Sequence, residues 1–367
     1  MPIIDIPLCG RAYDIVIGAG IFDAGRCEQL QTFVDGRRCL IASDSNVLPI
    51  YGPATRAMLE AAGAARVSET DFPAGEESKS LATLAGMVAA GLDAGLDRKS
   101  IVIALGGGVV GDTAGFMAAS YMRGIDLIQM PTSLVAHVDS SIGGKTGVDL
   151  SAGKNLIGAF HQPRLVLIDV DTLSTLSPRD LRCGLAEVVK YGLILDVGFF
   201  QFLEENIAGL LGPDPAVYEH VIERCCQLKA DIVLEDEFEM GRRAILNYGH
   251  TFGHALEKLT AYVRFTHGEA IAVGMGMAAE LACLLDETAS RRELVERQDR
   301  IFAVLGLPRS VSGIEPAEVA AAMTTDKKYV YGRNRLILPN RIGEVGIVSD
   351  VSEALILEAI GGRCDQS

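Results

Sequence analysis

The stretch that decides the fold is Ile101-Val102-Ile103-Ala104-Leu105-Gly106-Gly107-Gly108-Val109-Val110-Gly111-Asp112. Its first five residues are apolar without interruption, the pattern of a strand buried on both faces of a parallel sheet rather than of one half-exposed. Gly106, Gly108 and Gly111 then satisfy G-x-G-x-x-G, and Thr113 to Ser120 reads as a helix. Between a strand and a helix, residues without side chains let the backbone approach a pyrophosphate at the helix N-terminus. A tight turn with no ligand leaves the same pattern, so the motif alone predicts a βα unit, not a cofactor. The usual acidic ribose partner, about 20 residues further on, would be Asp126, but that residue opens the next strand after an Arg-Gly turn.

Working outward, 38–42, 127–130 and 165–168 are further short apolar runs, and residues 1–178 alternate strand and helix patterns. After Ser177-Pro178, where proline can open a helix, the pattern changes to long amphipathic stretches at 180–195, 214–235, 244–260, 268–286 and 290–304. A chain of 367 residues, 49% hydrophobic and 22% charged, has the length and apolar content for two cores. The expectation is an α/β N-terminal domain over 1–178 and an all-helical C-terminal domain over 179–367.

Composition narrows the function. A formal charge of −15 argues against a nucleic-acid partner, which needs a basic surface. Lysine and arginine nevertheless recur in the motif-dense segments (Lys145, Lys154, Lys190, Lys229, Arg242, Arg243, Lys327, Lys328), as suits a locally positive site for a small anion. Eight scattered cysteines with no C-x-x-C pair read as reduced thiols of a cytoplasmic protein. The charge-free run 270–279 is too short to span a bilayer, and the N-terminus lacks a basic n-region. Neither a membrane nor secretion is expected.

Three further motifs carry chemistry. Ser141-Ile-Gly-Gly144-Lys145-Thr146 ends like a phosphate-binding P-loop, yet the first glycine of that pattern would fall on Asp139. What remains is a polar glycine-rich loop followed by Lys154-Asn155, and solvated surface lysines would read the same. Glu187 and Lys190 share one helix face at i,i+3. An exposed ion pair is the ordinary reading, although the neighbours are apolar. Finally, His250 and His254 stand at i,i+4 in Asn247-Tyr-Gly-His250-Thr-Phe-Gly-His254-Ala-Leu-Glu257, with His267-Gly-Glu269 close behind. Histidines on one face with a carboxylate available make an open-position metal site, and spacing alone nominates His250 and His254 as ligands together.

These motifs, with Pro131-Thr-Ser-Leu-Val-Ala-His-Val-Asp139, Gly153-Lys-Asn155, Ala186-Glu-Val-Val-Lys190 and Asp326-Lys-Lys328, occur in the order seen in the 3-dehydroquinate synthase family of sugar-phosphate cyclases. The chain resembles that family from about residue 10 to 350. The resemblance implies a Rossmann-like nucleotide-binding domain followed by a helical metal-binding domain. It implies one divalent metal, zinc or cobalt, on Glu187, His250 and His267, with His254 facing substrate instead. It places NAD on Asp44, Glu76, Lys79, Gly107, Gly108, Val109, Val110, Gly111, Asp112, Thr132, Ser133, Lys145, Lys154, Thr172 and Thr175. Ser133 replaces the more usual threonine and keeps its hydroxyl.

For the substrate, the resemblance implies contacts from Arg123, Lys145, Lys154, Asn155, Lys229, Arg243, Lys327 and Lys328. Catalytic roles fall to Asp139, Lys145, Lys190, Glu239, Asn247 and His254. Arg123 corresponds to an arginine reaching the phosphate of a neighbouring subunit, so a homodimer is implied. The family's reaction converts 3-deoxy-D-arabino-heptulosonate 7-phosphate to 3-dehydroquinate and phosphate, a lyase step of the shikimate pathway, through transient NAD oxidation, phosphate elimination, re-reduction and aldol closure. The alternatives are a cyclase making a cyclitol from a substrate without the carboxylate, a metal-dependent polyol dehydrogenase that releases NADH, and an inactive NAD-binding scaffold. Lys229, Arg243 and Asn247 stand as in the dehydroquinate enzyme, which favours the first reading.

Overall fold

The computed structural model describes residues 1–23, 28–150, 153–212, 214–323 and 334–365. In chain order the first part comprises β1 (Ile3–Ile6), β2 (Tyr13–Gly18), α1 (Glu28–Val34), β3 (Arg38–Asp44), α2 (Leu48–Ala61), β4 (Arg66–Phe72), α3 (Leu81–Asp93), β5 (Ile101–Gly106), α4 (Gly108–Ser120), β6 (Asp126–Pro131), β7 (Lys145–Leu150), β8 (Gly153–Phe160) and β9 (Leu165–Asp169). Then follow α5 (Pro178–Leu195), α6 (Val197–Glu205), α7 (Ile207–Leu211), α8 (Pro215–Glu235), α9 (His250–Leu259), α10 (His267–Leu285), α11 (Ala289–Leu305), β10 (Val311–Ser312), α12 (Pro316–Met323), β11 (Arg335–Arg341), β12 (Glu344–Ser349), α13 (Glu353–Gly361) and β13 (Cys364–Asp365). These elements form two compact units, 1–176 with 215–238 and 177–214 with 239–367.

The first unit is built on a seven-stranded sheet of order β1-β2-β9-β6-β5-β3-β4, parallel except for the edge strand β1. All four expected strands are present. The uninterrupted apolar run in β5 has its explanation in the pleat: Ile101, Ile103 and Leu105 enter one core with Leu30, Val34, Met58 and Leu59 of α1 and α2. Val102 and Ala104 enter the other, with Met87 of α3 and Val110, Ala114 and Met117 of α4. Each large side chain so buried contributes roughly 1.5–3 kcal/mol. From β3 the chain steps out to β4 and then returns to β3's other side as β5, so the winding reverses between β3 and β5. Such a switch point, at the carboxyl ends of the strands, is where open α/β sheets bind ligands.

One helix departs from the expected division. The helix pattern at 214–235 forms as α8 but belongs to the first unit, where it packs on β1, β2 and the turn 136–140. Its buried stripe of Tyr218, Val221, Ile222, Cys225 and Ile232 needed an apolar surface to cover, and sequence spacing does not say which one. Polar contacts hold it there: Lys229 Nζ reaches Asp139 Oδ1 and the Asp139 carbonyl at 2.6 Å each.

The second unit is predominantly helical. It also carries two small sheets that the sequence reading passed over, the antiparallel hairpin β11–β12 and the two-residue parallel pair β10–β13. Ser177 caps α5 by accepting from the Asp180 amide, with Pro178 in the first turn as expected. Helix α10 opens with a capping box between Thr266 and Glu269 and is apolar nearly throughout. It is long and apolar enough to cross a membrane by composition, but most of it is buried inside the fold. Its neighbours approach at glycines: a Cβ on Gly268 would lie 2.0 Å from the Cys183 carbonyl oxygen of α5, and one on Gly274 would lie 2.2 Å from that of Gly249, just before α9.

Candidate active site

In the first unit most residues expected to hold a nucleotide follow the carboxyl ends of parallel strands, whereas Lys145 and Lys154 lie on the antiparallel β7–β8 hairpin. Asp44 ends β3, and its Oδ1 accepts from the amides of Asn46 and Val47, turning the chain into α2. Gly106 to Gly108 turn β5 into α4, with Gly107 immediately before the helix. The glycines serve close approach: a Cβ on Gly106 would lie 2.5 Å from Val110 Cγ2, and one on Gly111 2.9 Å from Gln129 Oε1. Val109 and Val110 complete the first turn of that helix. Asp44 and the glycine turn thus flank the switch point between β3 and β5. Asp126 lies at the start of β6, the opposite end of the strand from these turns, and Arg37 and Arg164 each hold one of its carboxylate oxygens at 2.8 Å.

Around this edge the polar groups are tied to one another. Buried Lys79 pairs with Asp112 at 2.6 Å, and Lys154 with Glu76 at 3.0 Å. The Thr132 amide donates to the Gly106 carbonyl, and Ser133 Oγ accepts from the Ala136 amide. Thr172 and Thr175 donate their hydroxyls to the carbonyls of Asp169 and Thr172 in the turn after β9. His137 joins two of these segments, with Nε2 at 3.0 Å from the Pro131 carbonyl and 3.2 Å from Thr172 Oγ1. Burial pushes its pKa down to about 4, leaving the ring neutral.

The glycine-rich segment 139–146 is a loop leading into the β7–β8 hairpin. Gly143 and Gly144 adopt φ of 88° and 69°, which favours glycine at both. Lys145 opens β7 and is exposed. Asn155 is also left-handed at φ 52° and donates its amide to Asp149 Oδ1. Arg123 stands exposed at φ 70° in the turn after α4, directly after Met122 at φ 50°. Two successive left-handed residues with side chains are uncommon, and such strain gathers at functional positions.

The second unit holds the ionisable cluster. The face of α5 that carries Glu187 and Lys190 is buried, and the two are in contact as an ion pair. The exposed-pair reading therefore does not apply. His250 opens α9, and its Nδ1 lies 3.0 Å from the Tyr248 carbonyl, which turns Nε2 to within 3.5 Å of Glu187 Oε1. His267 opens α10 with Nε2 3.4 Å from the same oxygen. One ligand atom each from Glu187, His250 and His267 lies within 4.8 Å of the others. Among the described residues no such group contains both His250 and His254. His254 falls instead into a second, overlapping group with Glu257 and His267. Spacing put the two histidines on one helix face, as observed, with ring centroids 5.4 Å apart, and the Tyr248 carbonyl fixes which nitrogen of the first ring faces Glu187.

Electrostatics suit a cation here. Glu187 is fully buried; burial alone would raise its pKa, but Lys190, His250 and His267 hold it well below the usual carboxylate range. Burial drives His250 well below 6.5, so this ring is a neutral donor. His267 is held well above 6.5, because Glu187 and Glu257 outweigh the effect of burial. Glu187 Oε2 is in contact with the Lys190 ammonium, while Oε1 faces the Nε2 atoms of His250 and His267 at 3.5 and 3.4 Å. One carboxylate and two imidazoles around a buried point are the donor set of a catalytic divalent metal with open positions, so these residues fit the ion.

Nearby, Asn247 Nδ2 donates to Glu239 Oε1 at 2.7 Å, and Glu239 is itself left-handed at φ 57°. Arg243 is buried in the turn 242–247. Lys327 and Lys328 lie outside the described residues. Sequence reasoning missed Glu257, whose signal was its place at i+3 from His254 and i+7 from His250.

A parallel α/β sheet followed by a helical unit is the architecture of sugar-phosphate cyclases solved with NAD+ and a divalent metal, and glycerol dehydrogenases share the fold. Both kinds resemble this chain in fold. The structure of 2-deoxy-scyllo-inosose synthase complexed with carbaglucose-6-phosphate, NAD+ and Co2+ superposes with a TM-score of 0.87 at 29% identity, covering 98% of this chain and 99% of that one. The 2-epi-5-epi-valiolone synthase of Streptomyces hygroscopicus, with NAD+ and Zn2+ bound, gives 0.86 at 29% identity over 95% and 96%. A probable glycerol dehydrogenase from Sinorhizobium meliloti, at 17% identity and 0.67, shares the fold alone.

The chain belongs to the 3-dehydroquinate synthase family. Residues 69–183 match the 3-dehydroquinate synthase N-terminal domain and 184–329 its C-terminal domain. The 3-dehydroquinate synthase of Desulforamulus reducens is 46% identical over 98% of this chain and 99% of its own length. That of Symbiobacterium thermophilum is 47% identical over 95% and 98%.

Proposed function

We propose that this chain is a 3-dehydroquinate synthase, a lyase that converts 3-deoxy-D-arabino-heptulosonate 7-phosphate to 3-dehydroquinate and phosphate. The carrying observation is the Glu187, His250 and His267 cluster beside Lys190, in a chain 46% identical to a curated dehydroquinate synthase along nearly its whole length. NAD would be held by the first unit through Asp44, the Gly107 to Asp112 turn, Lys79, Glu76, Thr132 and Ser133, with Thr172 and Thr175. One zinc or cobalt ion would be held by Glu187, His250 and His267. When bound, NAD supplies a reversible hydride acceptor and the ion a Lewis acid for the carbinol being oxidised.

The chain's own groups prepare that chemistry. Lys190 keeps Glu187 ionised in a buried setting where a lone carboxylate would take up a proton. Lys229 fixes the orientation of Asp139 by gripping both its carboxylate and its carbonyl. Asn247 and Glu239 orient each other at 2.7 Å. His254, half-buried beside the other two rings, is a proton carrier for a substrate hydroxyl. Lys145, Lys154, Asn155 and Arg243 supply charge and hydrogen bonds for phosphate and carboxylate, and Arg123 serves the partner's substrate in a cytoplasmic homodimer.

The test is incubation with the heptulosonate phosphate, a divalent metal and NAD at one equivalent per site, following phosphate release and absorbance at the NADH band. Many turnovers without accumulating NADH support the reading, whereas NADH in proportion to product would make the chain a dehydrogenase. The fold likeness to 2-deoxy-scyllo-inosose synthase favours a second reading, a cyclitol-forming cyclase. Turnover of a hexose 6-phosphate in place of the heptulosonate would support it.

A further inference from the structure

The face of α9 carries three groups at successive turns, His250, His254 and Glu257, and the first two already have places in the proposed site. Glu257 has none, although it is 3% exposed on a helix end where a carboxylate would normally reach water. Its Oε1 lies 3.5 Å from His267 Nδ1, and Glu187 Oε1 lies 3.4 Å from Nε2 of the same ring. The imidazole is therefore bracketed by two buried carboxylates, one facing each nitrogen.

We infer that Glu257 is a positioning residue for the metal: it receives the Nδ1 proton of His267 and so commits the Nε2 lone pair to the ion. A neutral imidazole carries one N–H and one lone pair, and an acceptor on one nitrogen decides which is which. For His250 the same task falls to the Tyr248 carbonyl, 3.0 Å from Nδ1. The two histidines thus have unequal supports, a neutral carbonyl and a charged carboxylate. The carboxylate also raises the basicity of the ring it faces, and outer partners of this kind are worth roughly ten- to hundredfold in metal affinity. The overlapping group of His254, Glu257 and His267 admits another arrangement, a second ion on Nδ1. That would require His267 to lose both protons and bridge two cations, while the Nδ1 proton is one that Glu257 is placed to accept.

The inference rests on the proposed metal site, and the test separates the two. Zinc and cobalt affinity of the full chain is measured by competition with a chelator, for the unmodified protein, Glu257→Gln and His267→Ala, together with ions bound per chain and the thermal midpoint of the metal-free proteins. Glu257→Gln keeps the size of the side chain and removes its charge. The expected result, read at a pH where the affinity of the unmodified protein no longer rises, is one ion per chain, binding ten- to hundredfold weaker in a Glu257→Gln chain that still unfolds cooperatively, and binding lost in His267→Ala. Nitrogen-15 NMR of the zinc-loaded unmodified protein should show His267 protonated at Nδ1 and bound through Nε2, a readout that stands even where the variant fails to fold. Affinity within twofold of the unmodified chain, two ions per chain, or zinc on Nδ1 would overturn the inference. An unmodified chain that takes up no ion would overturn the metal site itself.

Discussion

Gly268→Ala should loosen the metal site without touching a ligand. Gly268 follows His267 on α10 and faces Cys183, one turn before Glu187 on α5, so it is a close contact between the two helices that carry proposed ligands. An added Cβ would lie 2.0 Å from the Cys183 carbonyl oxygen and 2.7 Å from its carbonyl carbon and Cα. These are backbone atoms, and no side-chain rotation relieves them. Since Cβ contacts below 3.0 Å are essentially never found, α5 and α10 must part by at least 1.0 Å there. Overpacking of this kind costs about 1–3 kcal/mol, a fall of several degrees in Tm. Metal–ligand distances tolerate only about 0.2 Å, so cobalt affinity should fall at least tenfold as Glu187 and His267 separate. Thermal unfolding and a chelator-competition titration measure the two effects. Gly86→Ala is the control: nothing lies within 4 Å of its added Cβ on the exposed face of α3, and alanine there should stabilise by about 0.5–1 kcal/mol. If Gly268→Ala matched the unmodified protein in both Tm and metal affinity, the reasoning from helix contact to ligand geometry would be wrong.

Alanine at Glu187, His250 or His267 should lose metal and turnover together, whereas His254→Ala should lose turnover and keep the ion; elemental analysis of the purified variants decides, and depletion in His254→Ala equal to that in His250→Ala would contradict the grouping. Metal uptake should strengthen with pH. His267, held charged well above 6.5, is the ligand that must give up a proton, while depressed Glu187 and His250 give up none, so affinity should rise up to tenfold per pH unit from about 6.5 and flatten once the raised pKa is passed. A binding constant flat from pH 6 to 8 would refute this. In the proposed homodimer, Arg123→Ala and Lys154→Ala should each be inactive alone and recover activity when mixed with subunit exchange verified, because a mixed dimer would rebuild one complete site from two chains. No recovery would place Arg123's action within its own chain.

What could be read in the sequence follows from how local each cause is. The β5 strand and its glycine turn were legible because an unbroken apolar run and a side-chain-free turn are imposed on neighbouring residues by burial on both faces and by contacts as close as Gly106 to Val110. Asp126 is a doubtful ribose partner from its place at the start of a strand, and the structure pairs it there with Arg37 and Arg164. Helix α8 formed where its periodicity indicated, but periodicity names a face and not the surface that face will cover. The hairpin β11–β12 was overlooked although Leu336-Ile337-Leu338 and Val345-Gly346-Ile347-Val348 flank a turn at Gly343, because no tertiary partner was in view to distinguish short strands from loop.

The site divides along the same line. Helical spacing correctly put Glu187 beside Lys190 and His250 beside His254, since both are consequences of 3.6 residues per turn. It was silent on burial, which turns the first pair from a solvated ion pair into a charged element of the core, and silent on ring direction, which a single backbone carbonyl decides for the second. Glu257 shows the limit most sharply. Its spacing put it on the histidine face, but its partner, His267, belongs to another helix ten residues on. Only the close approach of α9 to α10, permitted where Gly274 meets the Gly249 carbonyl, brings that imidazole between two carboxylates.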